Sequence, residues 1–222
     1  MTAIDNGTID YKNEIVRKSI HLCSLSIPIV YYFISRELAL WILIPVTFFS
    51  LTIDLGRYFF SSLNNIVNKF FGFLLRDHEK DSNKKNLNGA TYVFISALVG
   101  IIIFPKVIFI SAFAVLIISD ISAALFGRRF GKHKFLSKSL EGTLAFIISG
   151  CIVILFTPKV DHSLTEYLIS FFAVFVGGII ENVSYGWADD NLTIPLSIGL
   201  TMLILFKIFL PNVSLILQGV PI

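Results

Sequence analysis

The chain has 222 residues, of which 55% are hydrophobic and only 15% charged, with 22 Phe and a mean hydropathy of +0.79. Soluble domains carry about 25% charged residues, so a soluble globular protein is excluded. At about 20 residues per membrane-spanning helix, the length leaves no room for a separate soluble domain, and a net charge of +3 gives no ground for a nucleic-acid partner.

Charged residues from Asp5 to Lys18 open the chain, with no early apolar core and small-residue cleavage site, so no removable signal peptide is expected. Apolar runs at 20–35, 38–54, 90–104, 106–126, 142–157, 164–180 and 192–210 predict seven transmembrane helices. Several are short, which implies tilted helices or a thin bilayer. Between the second and third runs, 58–75 places three Asn and Lys69 among Phe and Leu, the pattern of an amphipathic helix on the membrane surface. The expected fold is all-α: a polytopic integral membrane protein of about seven transmembrane helices plus one interfacial helix, a single catalytic domain over residues 1–222. Cys23 and Cys151 lie in apolar runs and read as small buried hydrophobes.

All Lys and Arg except Arg36, Lys106, Lys159 and Lys207 fall on one side of this seven-span arrangement. The positive-inside rule then makes the N-terminus and the loops at 57–89, 127–141 and 181–191 cytoplasmic and puts the C-terminus outside. All acidic residues except Glu37, Asp161 and Glu166 share that side. A face rich in both signs fits a site that holds an anionic substrate together with a metal.

Asp120 closes the run VIFISAFAVLIISD about one turn inside the cytoplasmic boundary. A charge there costs up to about 3 kcal/mol, so a functional role is the default reading, beside that of a satisfied packing partner. Ala124, Gly127 and Gly131 follow as a small-residue face suited to helix packing. The interleaved Arg128, Arg129, Lys132 and Lys134 suit a loop whose backbone N–H groups and cations hold phosphate oxygens. Lys138-Ser139-Leu140-Glu141-Gly142 gathers a lysine, a hydroxyl and a carboxylate, either within that phosphate site or as a helix cap. Glu181 and Asp189-Asp190-Asn191 cluster at the same side. Adjacent carboxylates repel unless a cation lies between them, so they read as Mg²⁺ ligands or as a cap before Leu192.

Glu14, Arg17, Lys18 and His21 are spaced by three and four and share one helix face, as a site wall or a snorkelling anchor. Asp54 with Arg57, Arg76 with Glu79, and Asn88-Gly89-Ala90-Thr91 add polar groups at that side.

Taken together, the run SDISAALFGRRFGKHKFLSKSLEGTLAF resembles the nucleotide-binding stretch of the CTP-dependent lipid alcohol kinases, the superfamily of dolichol kinase, phytol kinase and yeast-type diacylglycerol kinase. Asp120, Ala123, Gly127, Gly131, Lys138, Ser139, Glu141 and Gly142 carry the pattern. The acidic residue, Arg-Lys and His of that superfamily's first span resemble Glu14, Arg17, Lys18 and His21. Its Asp-x-x-Arg, Gly-Ala-Thr and Asp-Asp-Asn-Leu elements are similar to Asp54/Arg57, Asn88 to Thr91, and Asp189 to Leu192. The short spacer between Gly131 and Lys138 looks like the phytol and diacylglycerol kinase branch, whereas Glu141 resembles the dolichol-type pattern.

The resemblance implies transfer of the γ-phosphate of CTP to the hydroxyl of a membrane lipid alcohol (polyprenol or dolichol, a phytol-like isoprenoid, or diacylglycerol), with Mg²⁺ or another divalent cation, at the cytoplasmic face. Such transfer is mostly positioning and charge neutralisation. Nucleotide contacts then fall to Ala123, Gly127, Arg128, Gly131, Lys132, Lys138, Ser139, Gly142 and Asn191, and metal binding to Asp120, Asp189 and Asp190. Catalytic duty falls to Lys138 and to Asp120 or Glu141 as base. Arg17, Lys18, His21, Asp54, Arg57, Asn88, Thr91 and Glu181 are further polar candidates. The superfamily is related to phosphatidate cytidylyltransferases, so CDP-lipid synthesis is the first competing expectation, with Arg17 and Lys18 holding a lipid phosphate. A non-enzymatic transporter or scaffold is the second, although a transporter implies inverted repeats and polar groups near mid-membrane.

Overall fold

The computed structural model describes residues 10–75, 86–184 and 189–222. Among them the chain forms helices α1 (Tyr11–Cys23), α2 (Ser26–Phe33), α3 (Arg36–Gly56), α4 (Ser61–Phe71), α5 (Gly89–Ile103) and α6 (Lys106–Phe130). A minimal hairpin, β1 (Lys134–Phe135) and β2 (Lys138–Ser139), leads into α7 (Leu140–Phe156), α8 (Leu164–Val183) and α9 (Asp190–Phe209). Asp5, Arg76 and Glu79 lie outside the described residues.

Helix starts are written locally. Ser35, Asn88, Ser139, Ser163 and Asp189 each stand just before a helix, and each side-chain oxygen accepts a hydrogen bond from an N–H of the first turn. These caps satisfy donors that the helix itself leaves unpaired. Pro105 precedes α6, where its fixed φ and missing N–H do no harm.

Helix α6 is central. Every residue from Val107 to Ile117 is buried, as befits a helix apolar on all faces. It packs against α7, α9, α1 and α2, while α3 leans on α5. Small residues permit the close approaches: a Cβ added at Gly199 would stand 2.5 Å from the Phe104 ring, and one at Gly150 2.6 Å from Val174. The outer surface remains apolar, with Trp41, Phe48, Phe49, Phe156 and Phe172 more than half exposed. That inside-out distribution matches a hydrocarbon surrounding.

Four described helices, α3, α6, α8 and α9, are long and apolar enough to cross a membrane. The expected count of seven is not reached at that length. Helices α5 and α7 are apolar but have 15 and 17 residues. The first expected span is divided, because Pro28 cannot donate to the Ser24 carbonyl and its ring crowds that carbonyl; the chain breaks at Ser24–Leu25, between α1 and α2. Within the segment 58–75, where an amphipathic helix is expected, the chain forms helix α4 (Ser61–Phe71), with Ile66, Phe70 and Phe71 exposed. Cys23 is exposed on the bundle's flank and Cys151 half-buried, so neither is the fully buried hydrophobe expected. Residues 127–130, expected as a phosphate-holding loop, form the last turn of α6.

A candidate active site at one end of the bundle

The start of α1, the end of α6, the hairpin, the end of α8 and the start of α9 meet at one end of the bundle, each bringing charged side chains. On α1, the spacing of three and four turns Glu14 and Lys18 inward, both 3% exposed. The Lys18 ammonium donates to Asp120 Oδ2 on α6, and His21 Nε2 lies 3.5 Å from the same oxygen. Arg17 pairs with Glu14 at 2.7 Å, and Arg128 Nη1 stands 3.8 Å from the other Glu14 oxygen.

A second knot lies beside the first. The Lys138 ammonium donates to Glu181, and Asp190 Oδ2 is 3.9 Å from the same Nζ, so one cation lies between two carboxylates. The two knots sense each other: Asp120 acts on Lys138, and Asp190 acts on Arg17. Burial pulls the Lys138 pKa down, but Glu181 and Asp190 more than compensate and hold it above the ordinary lysine value. Lys138 is therefore a fixed ammonium, fit to bind phosphate oxygens and unfit to serve as a base.

The hairpin sets the place of Lys138. Lys134 pairs with Ser139 and Phe135 with Lys138 across a two-residue turn in which Leu136 adopts φ 49°. That left-handed conformation costs a non-glycine residue on the order of 1 kcal/mol. Asn182 of α8 holds the turn: its Oδ1 accepts from the N–H of Ser137 (2.8 Å) and of Lys138 (3.1 Å), and its Nδ2 donates to Thr143 at 2.7 Å. Asn182 was not among the expected site residues; the signal for it was a lone amide beside Glu181 at the end of an apolar run.

The glycines serve packing here. A Cβ at Gly127 would lie 3.1 Å from Ser139 Oγ and 3.3 Å from the Gly142 Cα, and one at Gly142 would lie 3.1 Å from the Ala123 carbonyl oxygen. Helices α6 and α7 thus touch backbone to backbone beneath Lys138. Gly131 ends α6, its N–H returning to the Gly127 carbonyl at 2.9 Å. Ser139 caps α7 through the Gly142 N–H at 3.2 Å.

Other expected residues stand apart from the two knots. Lys132 is exposed beyond α6. Glu141 lies at the exposed edge, outside the apolar part of α7, where its own N–H and then the His133 ring hold its pKa down to about 2. Asp189 is spent as the α9 cap, accepting at 2.9 Å from both nitrogens of Asn191. Asp54, Arg57, Asn88 and Thr91 form their own buried knot between α3 and α5. Asp54 takes Arg57 Nε at 2.9 Å and the Asn88 N–H at 2.6 Å, Asn88 caps Thr91, and Thr91 meets Ser50 at 2.8 Å.

Among the described residues no three His, Cys, Asp or Glu side chains converge as a metal cage. Magnesium asks for less, commonly one or two carboxylates beside substrate phosphates. Glu181 Oε2 and Asn191 Oδ1 are buried oxygens with no hydrogen-bond partner, and Glu181 shares the Lys138 ammonium with Asp190. These hard donors fit a divalent ion.

The sequence is 30% identical over 195 residues to an uncharacterized protein of Rickettsia prowazekii, a match that covers 86% of this chain and 93% of that protein. The chain belongs to the family of that Rickettsia protein. It is also 28% identical over 155 residues to the CTP-dependent diacylglycerol kinase 1 of Schizosaccharomyces pombe, covering 64% of this chain and 69% of the yeast protein. No protein-family model matches the sequence, and no solved structure matches it. Within this family, a membrane-type helical bundle with a partial likeness to a lipid kinase is the frame for the charged site.

Proposed function

We propose that the chain is a CTP-dependent kinase of membrane lipid alcohols, working at the cytoplasmic face. The observation that carries this reading is the buried pair Lys18–Asp120 beside the part-buried cluster Glu181–Lys138–Asp190 at one end of the bundle. Phosphoryl transfer needs a cation for the donor phosphates beside a carboxylate that receives the acceptor's proton. The likeness to a CTP-dependent diacylglycerol kinase supports CTP as donor and a lipid hydroxyl as acceptor. The concentration of Lys and Arg at this side supports its cytoplasmic placement.

In this scheme Lys138, with Arg17 and Arg128 nearby, binds the triphosphate. Asp120 accepts the hydroxyl proton as the lipid oxygen bonds to the γ-phosphorus and the bond from that phosphorus to the β–γ bridging oxygen breaks, releasing CDP. Lys18 and His21 orient Asp120. Glu181, Asp190 and Asn191 would hold Mg²⁺, which would supply neutralisation of phosphate charge. Asp120 is favoured over Glu141 as base because it sits inside the network, whereas Glu141 is engaged by His133 at the exposed edge.

The test is incubation of the purified protein in lipid nanodiscs with CTP labelled at either the α- or the γ-phosphate, together with diacylglycerol, dolichol or phytol. The γ-label is expected in the lipid and the α-label in released CDP. Appearance of the α-label in the lipid, or of neither label, rejects the kinase reading.

A further inference from the structure

A cleft of about 170 Å³ runs between α1 and α6, away from the nucleotide knot. Leu22 of α1 and Ile118 and Leu125 of α6 wall it, and Lys18 is the one charged residue in its lining. Its rim is open, since Ile15, Ser19 and Leu22 are exposed on the flank of the bundle. The two hydroxyls in its lining ask nothing of an occupant: Ser19 donates to the Ile15 carbonyl and Ser122 to the Ile118 carbonyl, each at 2.9 Å. Such a wall suits hydrocarbon and gives a polar solute no partners.

Lys18 and its partner Asp120 specify the other end of the occupant. Lys18 and Asp120 are buried and bound to each other, so their charges cancel locally. A phosphate arriving there would meet an ammonium that is only 3% exposed and already held by Asp120, whereas the Lys138 side chain is 27% exposed. A neutral hydroxyl fits, donating to the carboxylate while its oxygen accepts from the ammonium. We infer that this cleft is the lateral port through which a lipid with a neutral hydroxyl head enters from the bilayer, its chain lying between α1 and α6 and its hydroxyl at Lys18–Asp120. The inference rests on the kinase reading for the fate of that hydroxyl, but the lipid site itself is separable from it.

Two measurements on the full chain in nanodiscs decide the matter. First, a diacylglycerol carrying a diazirine in one acyl chain is photolysed and the adducts are mapped by peptide mass. Labelling is expected on the α1 and α6 segments lining the cleft, displaced by excess unlabelled diacylglycerol and not by phosphatidate. Labelling spread evenly over the flanks, or displaced better by phosphatidate, overturns the port. Second, Ser122→Trp fills the cleft from α6. It is expected to raise the KM for long-chain diacylglycerol by about tenfold or more while CTP retention stays at the wild-type level. An unchanged KM in a folded Ser122→Trp protein also overturns the port. If the wild-type chain labels in the cleft yet transfers no phosphate to any lipid, the kinase reading fails and the lipid site stands.

Discussion

Lys18 of α1 and Asp120 of α6 are 102 residues apart in sequence and meet as an ion pair in which neither side chain is more than 4% exposed. Removing one partner of such a pair leaves a charge buried without compensation, which typically costs about 3–5 kcal/mol. Lys18→Met is therefore expected to lower stability by about 3 kcal/mol, and the double variant Lys18→Met with Asp120→Asn to recover most of that loss without recovering transfer. A double-mutant cycle on unfolding in detergent checks this. Additive losses would show that the pair is not coupled.

Asp120 and Glu141 separate cleanly as candidates for the base. Loss of a general base costs about 10² to 10⁴ in rate, so Asp120→Asn is expected to fall by at least that lower factor. Glu141→Gln, whose change falls on the exposed contact with His133, is expected to keep rates within about threefold. Initial rates of γ-label transfer decide. A larger loss in Glu141→Gln than in Asp120→Asn reverses the assignment.

The charge of Lys138 bears on the pH profile. Its folded pKa is raised, so the ammonium and its contribution to stability are fully present below the ordinary lysine pKa and are lost only as pH rises through the higher folded value. Nucleotide affinity is expected to show no Lys138-dependent decline from neutral pH up to about pH 10. A decline centred below pH 9 that disappears in Lys138→Met would contradict this. Lys138→Ala is expected to abolish transfer in a folded protein.

Asp189 and Asp190 have different duties despite their adjacency. Asp189 caps α9, and Asn is as good a cap as Asp, so Asp189→Asn is expected to leave activity near normal. Asp190 faces Lys138, so Asp190→Asn is expected to weaken apparent Mg²⁺ affinity and to be partly rescued by excess metal. A Mg²⁺ titration of both variants, with wild-type behaviour in Asp190→Asn, would remove that residue from the metal site.

The contact of Gly127 with Gly142 gives a packing test. Gly142→Leu drives side-chain atoms into the Ala123 carbonyl and Ser139 and is expected to cost about 1–3 kcal/mol. The hairpin that presents Lys138 shifts with it, so transfer should fall as well. Thermal unfolding and rate measured on the same preparation check both effects.

Much of this was legible in local patterns. The spacing of Glu14, Lys18 and His21 put them on one face, and Asp120 was conspicuous as a carboxylate at the end of an apolar run. Ser139 and Asp189 were readable as caps because capping depends on the next three residues alone. What escaped depended on partners distant in sequence. The turn at Leu136 is held by Asn182, 45 residues beyond Ser137, so no local signal marked a hairpin. Gly127 to Phe130 looked like a phosphate loop because glycine and arginine suit either state, and packing against Gly142 decided for helix. The break before α2 was written in Pro28, but a continuous apolar run concealed it.

The neutralisation of Lys138 by Glu181 and Asp190 makes the resting nucleotide site of the proposed kinase an ion exchanger already loaded with its own counter-ions. An arriving polyphosphate gains the lysine only by dislodging carboxylates, which must then find a cation of their own. Small anions such as inorganic phosphate bring too little charge to complete that exchange, whereas a triphosphate that arrives with its divalent ion offers a new partner to both sides at once. Under the proposed kinase reading, the pairing itself favours a triphosphate that brings its own divalent ion, before any contact with a base.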